Sequence, residues 1–337
     1  MKNSAVRLGT IRRWHRPLTV NAALMLTVAV FSAAAMVVDD RQILGESVWT
    51  KPAKFGFSFA VYGLTLAWLL SRLTRARRIG WWTGTAFAVA GLIDVSAVVY
   101  AAAHGTFSHF NDSASDVADT VHTAFGIGVM PLLATTLIVA VLVLTQPSDD
   151  RALKLALTAG LALAVASMAV AAWLSGIGES RTVADADGNP VPLSGGHGIG
   201  DPDGRGMPLT HWSLTGGDLR VPHFVGLHAL HVLLLVFAVV RLSETRRGRP
   251  FDGGTRTQVI GLSAFWYAGV FTVLTWQARR GQSVAHPDLY TLGALAGVSL
   301  IALVAVGLLS PTSGAARPDS LGQDAARPRD RAGQQPG

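Results

Sequence analysis

The stretch "RVPHFVGLHALHVLLLVFAVV", residues 220–240, decides how this chain is read. From Val232 to Val240 it holds no polar side chain, yet just before that run it carries His223, His228 and His231. A helix needs about 20 apolar residues, each adding ~1.5 Å, to cross the hydrocarbon of a bilayer. Val221–Val240 meets that length, so imidazoles have been carried into a span. Ionisable groups in a span are costly, and they face a bundle interior or a wet cavity rather than lipid. The stretch therefore reads as the lip and wall of a polar cavity.

The rest of the chain has the same character. Half of its 337 residues are hydrophobic and only 15% are charged, against about 25% in soluble proteins. Mean hydropathy is +0.38. Eight spans are predicted: Leu18–Val38, Phe55–Leu70, Trp81–Ala103, Ala124–Leu144, Leu153–Leu174, Val221–Val240, Val259–Gln277 and Leu292–Leu309. The second is short, but Lys51 and Lys54 can snorkel at its entrance. Frequent glycine permits close packing of helices in lipid. The fold class is all-α and polytopic. With no cysteine, disulfides, thiolate metal sites and cysteine nucleophiles are excluded. The net charge of +7 does not indicate nucleic acid, because the basic residues cluster beside the spans.

The N-tail, the second, fourth and sixth connections and the C-tail hold 20 Lys and Arg; the odd connections hold 8. Acids divide 7 against 13 in the opposite sense, with Asp94 left inside a span. This asymmetry predicts a membrane protein with both tails cytoplasmic and the odd connections outside. The apolar run from Leu18 is 21 residues long, longer than a usual signal core, so it is read as a retained span.

Two segments echo each other. "KPAKFGFSFAVYGLTLAWLLSRL" resembles "VPHFVGLHALHVLLLVFAVVRL", with Phe55 and Phe224 each 17 residues before an arginine. "YAAAHGTFSHFND" resembles "WQARRGQSVAHPD", each with a glycine five residues after an aromatic. These echoes predict two parallel four-helix units. The resulting organisation is an N-tail over 1–17, units over 18–150 and 151–310, a long outer connection over 175–220, and a disordered C-tail over 311–337. Asp-x-Asp-Gly pieces in the long connection lack a glutamate at the twelfth position of a calcium loop and read as turns.

Nine of the ten histidines fall on the outer side under this topology. At ~1.5 Å per residue, His228 and His231 lie ~9 and ~13 Å beyond Pro222, and Asp94 lies ~16 Å below Gly105. Asp94 and His231 thus share a depth at which they can hydrogen-bond. His104, His109, His197, His211 and His286, near helix ends or in loops, read as surface residues. Two functional classes follow. One is the binding or transport of a small solute, anionic or proton-coupled, in an outward-facing cavity. The other is a membrane redox enzyme holding haem b or a divalent metal, with His104, His122, His228 and His231 as candidate ligands. An eight-span plan of four plus four is also found in haem A synthase, but that protein's motifs are not present here.

The motifs "WTKPAKF" (49–55), "SHFN" (108–111) and "GGDLRVPHFVGLH" (216–228) resemble those of an uncharacterised family of multi-pass membrane proteins from high-GC, actinobacterial-type bacteria. The resemblance covers most of spans two to seven. It implies Lys51, Lys54, His109, Asn111, Asp218, Arg220, His223 and His228 as motif positions. His231 departs from it, since glutamine is expected there. With Asp94, these residues form the expected ligand-binding set.

Overall fold

The computed structural model describes residues 14–174, 179–201 and 206–309. The chain is all-α and polytopic. The described residues form eight helices: α1 (Arg16–Val38), α2 (Thr50–Ser71), α3 (Arg77–Ala103), α4 (Asp116–Leu144), α5 (Arg151–Leu174), α6 (Arg220–Arg247), α7 (Gly253–Arg279) and α8 (Leu289–Leu309). All eight are long and apolar enough to cross a membrane. Residues 1–13 and 310–337, which include most of the N-tail and the whole C-tail, lie outside the described residues.

The helix ends have local causes. Ser115 and Asp252 cap α4 and α7 by accepting the Ala118 and Thr255 amides. Gly248, at φ +65°, closes α6 in the left-handed conformation that glycine adopts freely. His15 Nδ1 accepts the Leu18 amide at the start of α1, so its Nε2 carries the proton and donates to the Trp81 carbonyl at 2.8 Å. α2 begins at Thr50, five residues before the predicted span. Hydropathy misses this turn because it holds Lys51 and Lys54. Pro52 is tolerated there because amides of a first turn have no intrahelical acceptor.

Packing is tightest in three pairs: α1 with α2, α3 with α4, and α5 with α6. Glycine makes two of these close. A Cβ on Gly56 would lie 2.7 Å from the Met25 carbonyl oxygen, and one on Gly160 would lie 2.6 Å from Leu230 Cα. Backbone therefore meets backbone at both crossings, the mode that small residues allow in lipid. A core of Leu18, Tyr62, Leu66, Phe87 and Val139 is joined by Leu161 and Leu230, so it runs from the first four helices into the second four.

The connections gather on two sides. On the even side, the Gln146 side-chain oxygen accepts the Thr74 and Arg75 amides at 2.9 and 3.0 Å. Arg256 there bonds Glu244 at 2.9 Å and Asp150 at 3.3 Å. On the odd side the described residues form three small sheets: β1 (Gln42–Ile43) with β2 (Glu46–Ser47), β3 (Arg181–Ala184) with β4 (Pro190–Leu193), and β5 (Gly198–Ile199) with β6 (Gly217–Asp218).

Candidate functional site beneath the fifth connection

The fifth connection is a lid over the odd side. Its β3–β4 hairpin turns on Asp185, whose Oδ1 accepts the Asp187 and Asn189 amides at 2.9 and 2.8 Å. The Asp-x-Asp-Gly piece is thus occupied in turn formation. β4 then extends over the third connection, where Asp112 donates to the Pro192 carbonyl and Ser194 to the Phe110 carbonyl, both at 2.8 Å.

Farther along, the Asp218 carboxylate accepts the Ser213 amide at 2.9 Å, and the Ser213 hydroxyl accepts the Gly216 amide at 2.9 Å. Ser283 Oγ donates to the Ser213 carbonyl at 2.6 Å, and Gln277 donates to the Ser283 carbonyl at 2.9 Å. This folds "WSLTGGDLR" into a tight loop seated on the end of α7. The seat requires glycine at 217, where a Cβ would penetrate the Ala278 carbonyl oxygen and lie 2.8 Å from its carbon. Lys54 and His211 fasten the lid to the first connection. Lys54 Nζ reaches Glu46 at 2.9 Å and the Thr210 carbonyl at 3.3 Å, and His211 Nδ1 lies 3.5 Å from Glu46.

Three cations therefore meet under one roof, and two are matched. Lys54 pairs with Glu46. Arg220 grips the fully buried Asp218 side chain through Nε at 2.9 Å and Nη2 at 2.6 Å, a bidentate clasp. Lys51 is different. Its ammonium donates to His109 Nδ1 at 3.0 Å, and among the described residues no carboxylate lies within 4 Å of it. With Lys51 protonated, this contact makes His109 a neutral imidazole carrying its proton at Nε2, because Nδ1 then supplies the lone pair. His109 sits against Phe125, at 4.5 Å between ring centroids, and Phe55, at 6.1 Å. His197 closes the cluster from the lid, 6.2 Å from His109 and 4.9 Å from Phe110. Burial, and then the Lys51 charge, hold His109 well below the ordinary imidazole value. Burial holds His197 there as well, followed by Arg220 and Lys51.

Asp94 lies deeper, on α3. It is 5% exposed, packs against Gly128 of α4, and accepts no hydrogen bond from any described residue. Lys51 is the charged group that bears on it. The Asp94–His231 hydrogen bond that equal depth suggests does not form, since both His231 nitrogens are unpaired.

The remaining expected positions separate. Asn111 is 2% exposed and builds the third connection, donating to the Phe107 carbonyl and accepting the Ser113 amide. His223 Nδ1 donates to the Ser167 carbonyl at 2.8 Å, tying α6 to α5. His231 meets Tyr62 of α2 at 5.6 Å between ring centroids, and His228 lies beside it on α6 at 5.2 Å. His104 is exposed and bonded to the Tyr100 carbonyl of its own helix, and His122 is exposed on α4. The four candidate metal ligands thus do not converge. Among the described residues no group of three His, Cys, Asp or Glu is placed to hold a metal ion.

From the sequence alone His197 and His211 fall on the surface, and Glu46, Tyr62 and Ser213 are not singled out as site residues. Only the lid contacts reveal the loop residues. Tyr62 did leave a signal: Lys51, Phe55 and Tyr62 fall at i, i+4 and i+11, one stripe of a helix. Comparison with family models, with curated proteins and with solved structures gives no match.

Proposed function

We propose that the odd side is the extracytoplasmic working face of a bacterial plasma-membrane protein. There it binds a small anionic solute and passes it toward the membrane interior. One observation carries this reading: Lys51, in the first turn of α2, has a neutral imidazole as its polar partner while its neighbours Lys54 and Arg220 are matched by carboxylates. An ammonium placed so, half-buried beside aromatic rings, is short of an anion. The solute would meet Lys51 and the Nε2–H of His109, with the lid opening to admit it. Asp94 beneath is the charge that would answer Lys51 when the site is empty, and a proton on it would accompany the solute. The orientation rests on the excess of Lys and Arg at the even connections.

The two halves are read as copies on structural grounds as well. α2 and α6 start at Thr50 and Arg220, carry Pro52 and Pro222 two residues on, and press Gly56 and Gly226 into the preceding helix. These pairs share an offset of 170 residues, obtained as 220 minus 50, one more than the Phe55–Phe224 echo. α3 and α7 are both 27 residues long, followed by Gly105 at φ +61° and Gly281 at φ +70°. The resemblance to actinobacterial membrane proteins belongs to the same proposal, since its positions Lys51, His109 and Arg220 gather beneath the lid.

The test is calorimetric titration of detergent-purified protein with inorganic phosphate, sulfate, acetate and lactate. Saturable binding of at least one probe is expected, lost in Lys51→Gln and kept in Lys54→Gln. Silence toward all four, or equal binding by the two variants, would sink the reading.

A further inference from the structure

A second group of polar side chains lies away from the mouth. Phe224, His228 and His231 occupy one stripe of α6, and Tyr62 meets them from α2. Their rings form a line, with centroid separations of 4.3, 5.2 and 5.6 Å from Phe224 inward. Tyr62 continues the line onto Phe87 of α3 at 5.9 Å. Phe224 is exposed and His228 half-buried, whereas the polar atoms of His231 and Tyr62 are enclosed. His231 and Tyr62 stand eleven and twelve residues from the starts of their helices. At ~1.5 Å per residue they lie ~16–18 Å deep, near the middle of a ~30 Å hydrocarbon layer.

Three polar atoms there have no hydrogen-bond partner: Tyr62 Oη, His231 Nδ1 and His231 Nε2. The Val61 carbonyl, which His231 also approaches, already accepts the Thr65 hydroxyl at 2.9 Å. Leaving such groups unmade in a dry interior costs free energy that leucine and phenylalanine at the same positions would not. Packing therefore does not account for them. Both residues lack something that a proton on His231 supplies. An imidazolium has two N–H donors; the Val61 carbonyl lies beside the His231 ring, and the Tyr62 ring packs against it at 5.6 Å between centroids, so a rotation of the Tyr62 or His231 side chain would bring a second oxygen onto the ring. The titratable groups facing His231 are His228 on its own helix, with His223 beyond, and Tyr62 on α2. Asp94 of α3 bears on Lys51 instead.

We propose that Tyr62 and His231 form an intramembrane proton-binding site, entered from the odd side past His228. The site does not depend on anion binding at the mouth. A proton from water reaches the half-buried His228 ring, moves to His231, and is held there by the Tyr62 hydroxyl oxygen.

Imidazole 15N shifts of histidine-labelled protein in nanodiscs, followed from pH 8 to pH 4, test this directly. The His231 signal is identified by its absence in His231→Gln, or in His231→Asn should the first variant not fold. It is expected to titrate within that range. Tyr62→Phe, which removes one oxygen and leaves the ring in place, should lower the proton affinity of His231 by about tenfold, as loss of a hydrogen bond to a charged group implies. His228→Leu should slow proton exchange at His231 without removing its titration. A His231 that stays neutral over the whole range, or titrates identically in Tyr62→Phe, overturns the proposal whatever the mouth is found to bind.

Discussion

Gly217→Ala tests whether the lid is seated as described. The added Cβ would lie 2.8 Å from the Ala278 carbonyl carbon and 3.0 Å from Gly281 Cα, and would penetrate the Ala278 oxygen. Carbon–carbon contacts normally sit at about 3.5–4.0 Å, so the loop must lift from α7 by roughly 1 Å. That lift stretches Ser283 Oγ to Ser213 O, now 2.6 Å, and Gln277 Nε2 to Ser283 O, now 2.9 Å, to or past hydrogen-bonding range. Two such bonds contribute about 1–3 kcal/mol together, and the overpacking adds about 1–3 kcal/mol, so the expected loss is ~2–6 kcal/mol. Gly188→Ala is the control. Gly188 differs from Gly217 in having a positive φ of +86°, but nothing lies within 4 Å of its new Cβ, so only the left-handed penalty of about 1–2 kcal/mol applies. The assay is thermal unfolding of detergent-purified protein, paired with the rate of proteolytic cutting within residues 179–201. Gly217→Ala should melt markedly lower than Gly188→Ala and be cut faster. Equal melting and equal protease resistance would show that the 213–218 loop does not rest on α7.

Stability should also fall as pH drops from about 7 to 5. His109 and His197 are held below the ordinary imidazole value by burial and by Lys51 and Arg220, so the unfolded chain gains protons near pH 6.5 that the folded chain refuses. The contribution is thus present above pH 6.5 and lost below it; melting curves of His109→Gln should be flatter across that window, and an unchanged slope would contradict the burial of this ring. Orientation is checked by a reporter fused after Gly337, which should be active only in the cytoplasm, and another inserted at Gly188, active only outside. Activity of both on one side would reverse the reading of the charge asymmetry.

The spans were legible because hydrocarbon length and apolar composition are local properties of a sequence. The lid was not. Hydropathy sees residues 175–220 only as a polar interval with turns, and His197 sits among glycines in "SGGHGIG", a context without periodicity. Its burial comes from the third connection, some 85 residues away in the chain, through Phe110 and His109. The start of α2 was misplaced for a related reason. Lys51 and Lys54 lower hydropathy just where the helix begins, although a first turn at the edge of the bilayer accommodates both.

What the motifs could not separate was scaffold from site, because that distinction lies in which polar atoms are left over. Asn111, Asp218, Arg220 and His223 share motifs with Lys51 and His109 and are as polar. In the folded chain they are engaged in building the loops and helix contacts: Asn111 in a turn, Asp218 with Arg220 in a clasp, His223 on a backbone carbonyl. Lys51, Asp94, Tyr62 and His231 keep bonding capacity that no described neighbour meets in full. Three of these four stand in apolar surroundings on spans, where an unmet polar group is hardest to retain, and Lys51 stands at the head of one. Satisfaction depends on partners far away in the chain, so it has no signature in local composition. It is nonetheless the property that separates residues holding the fold from those positioned to hold something else.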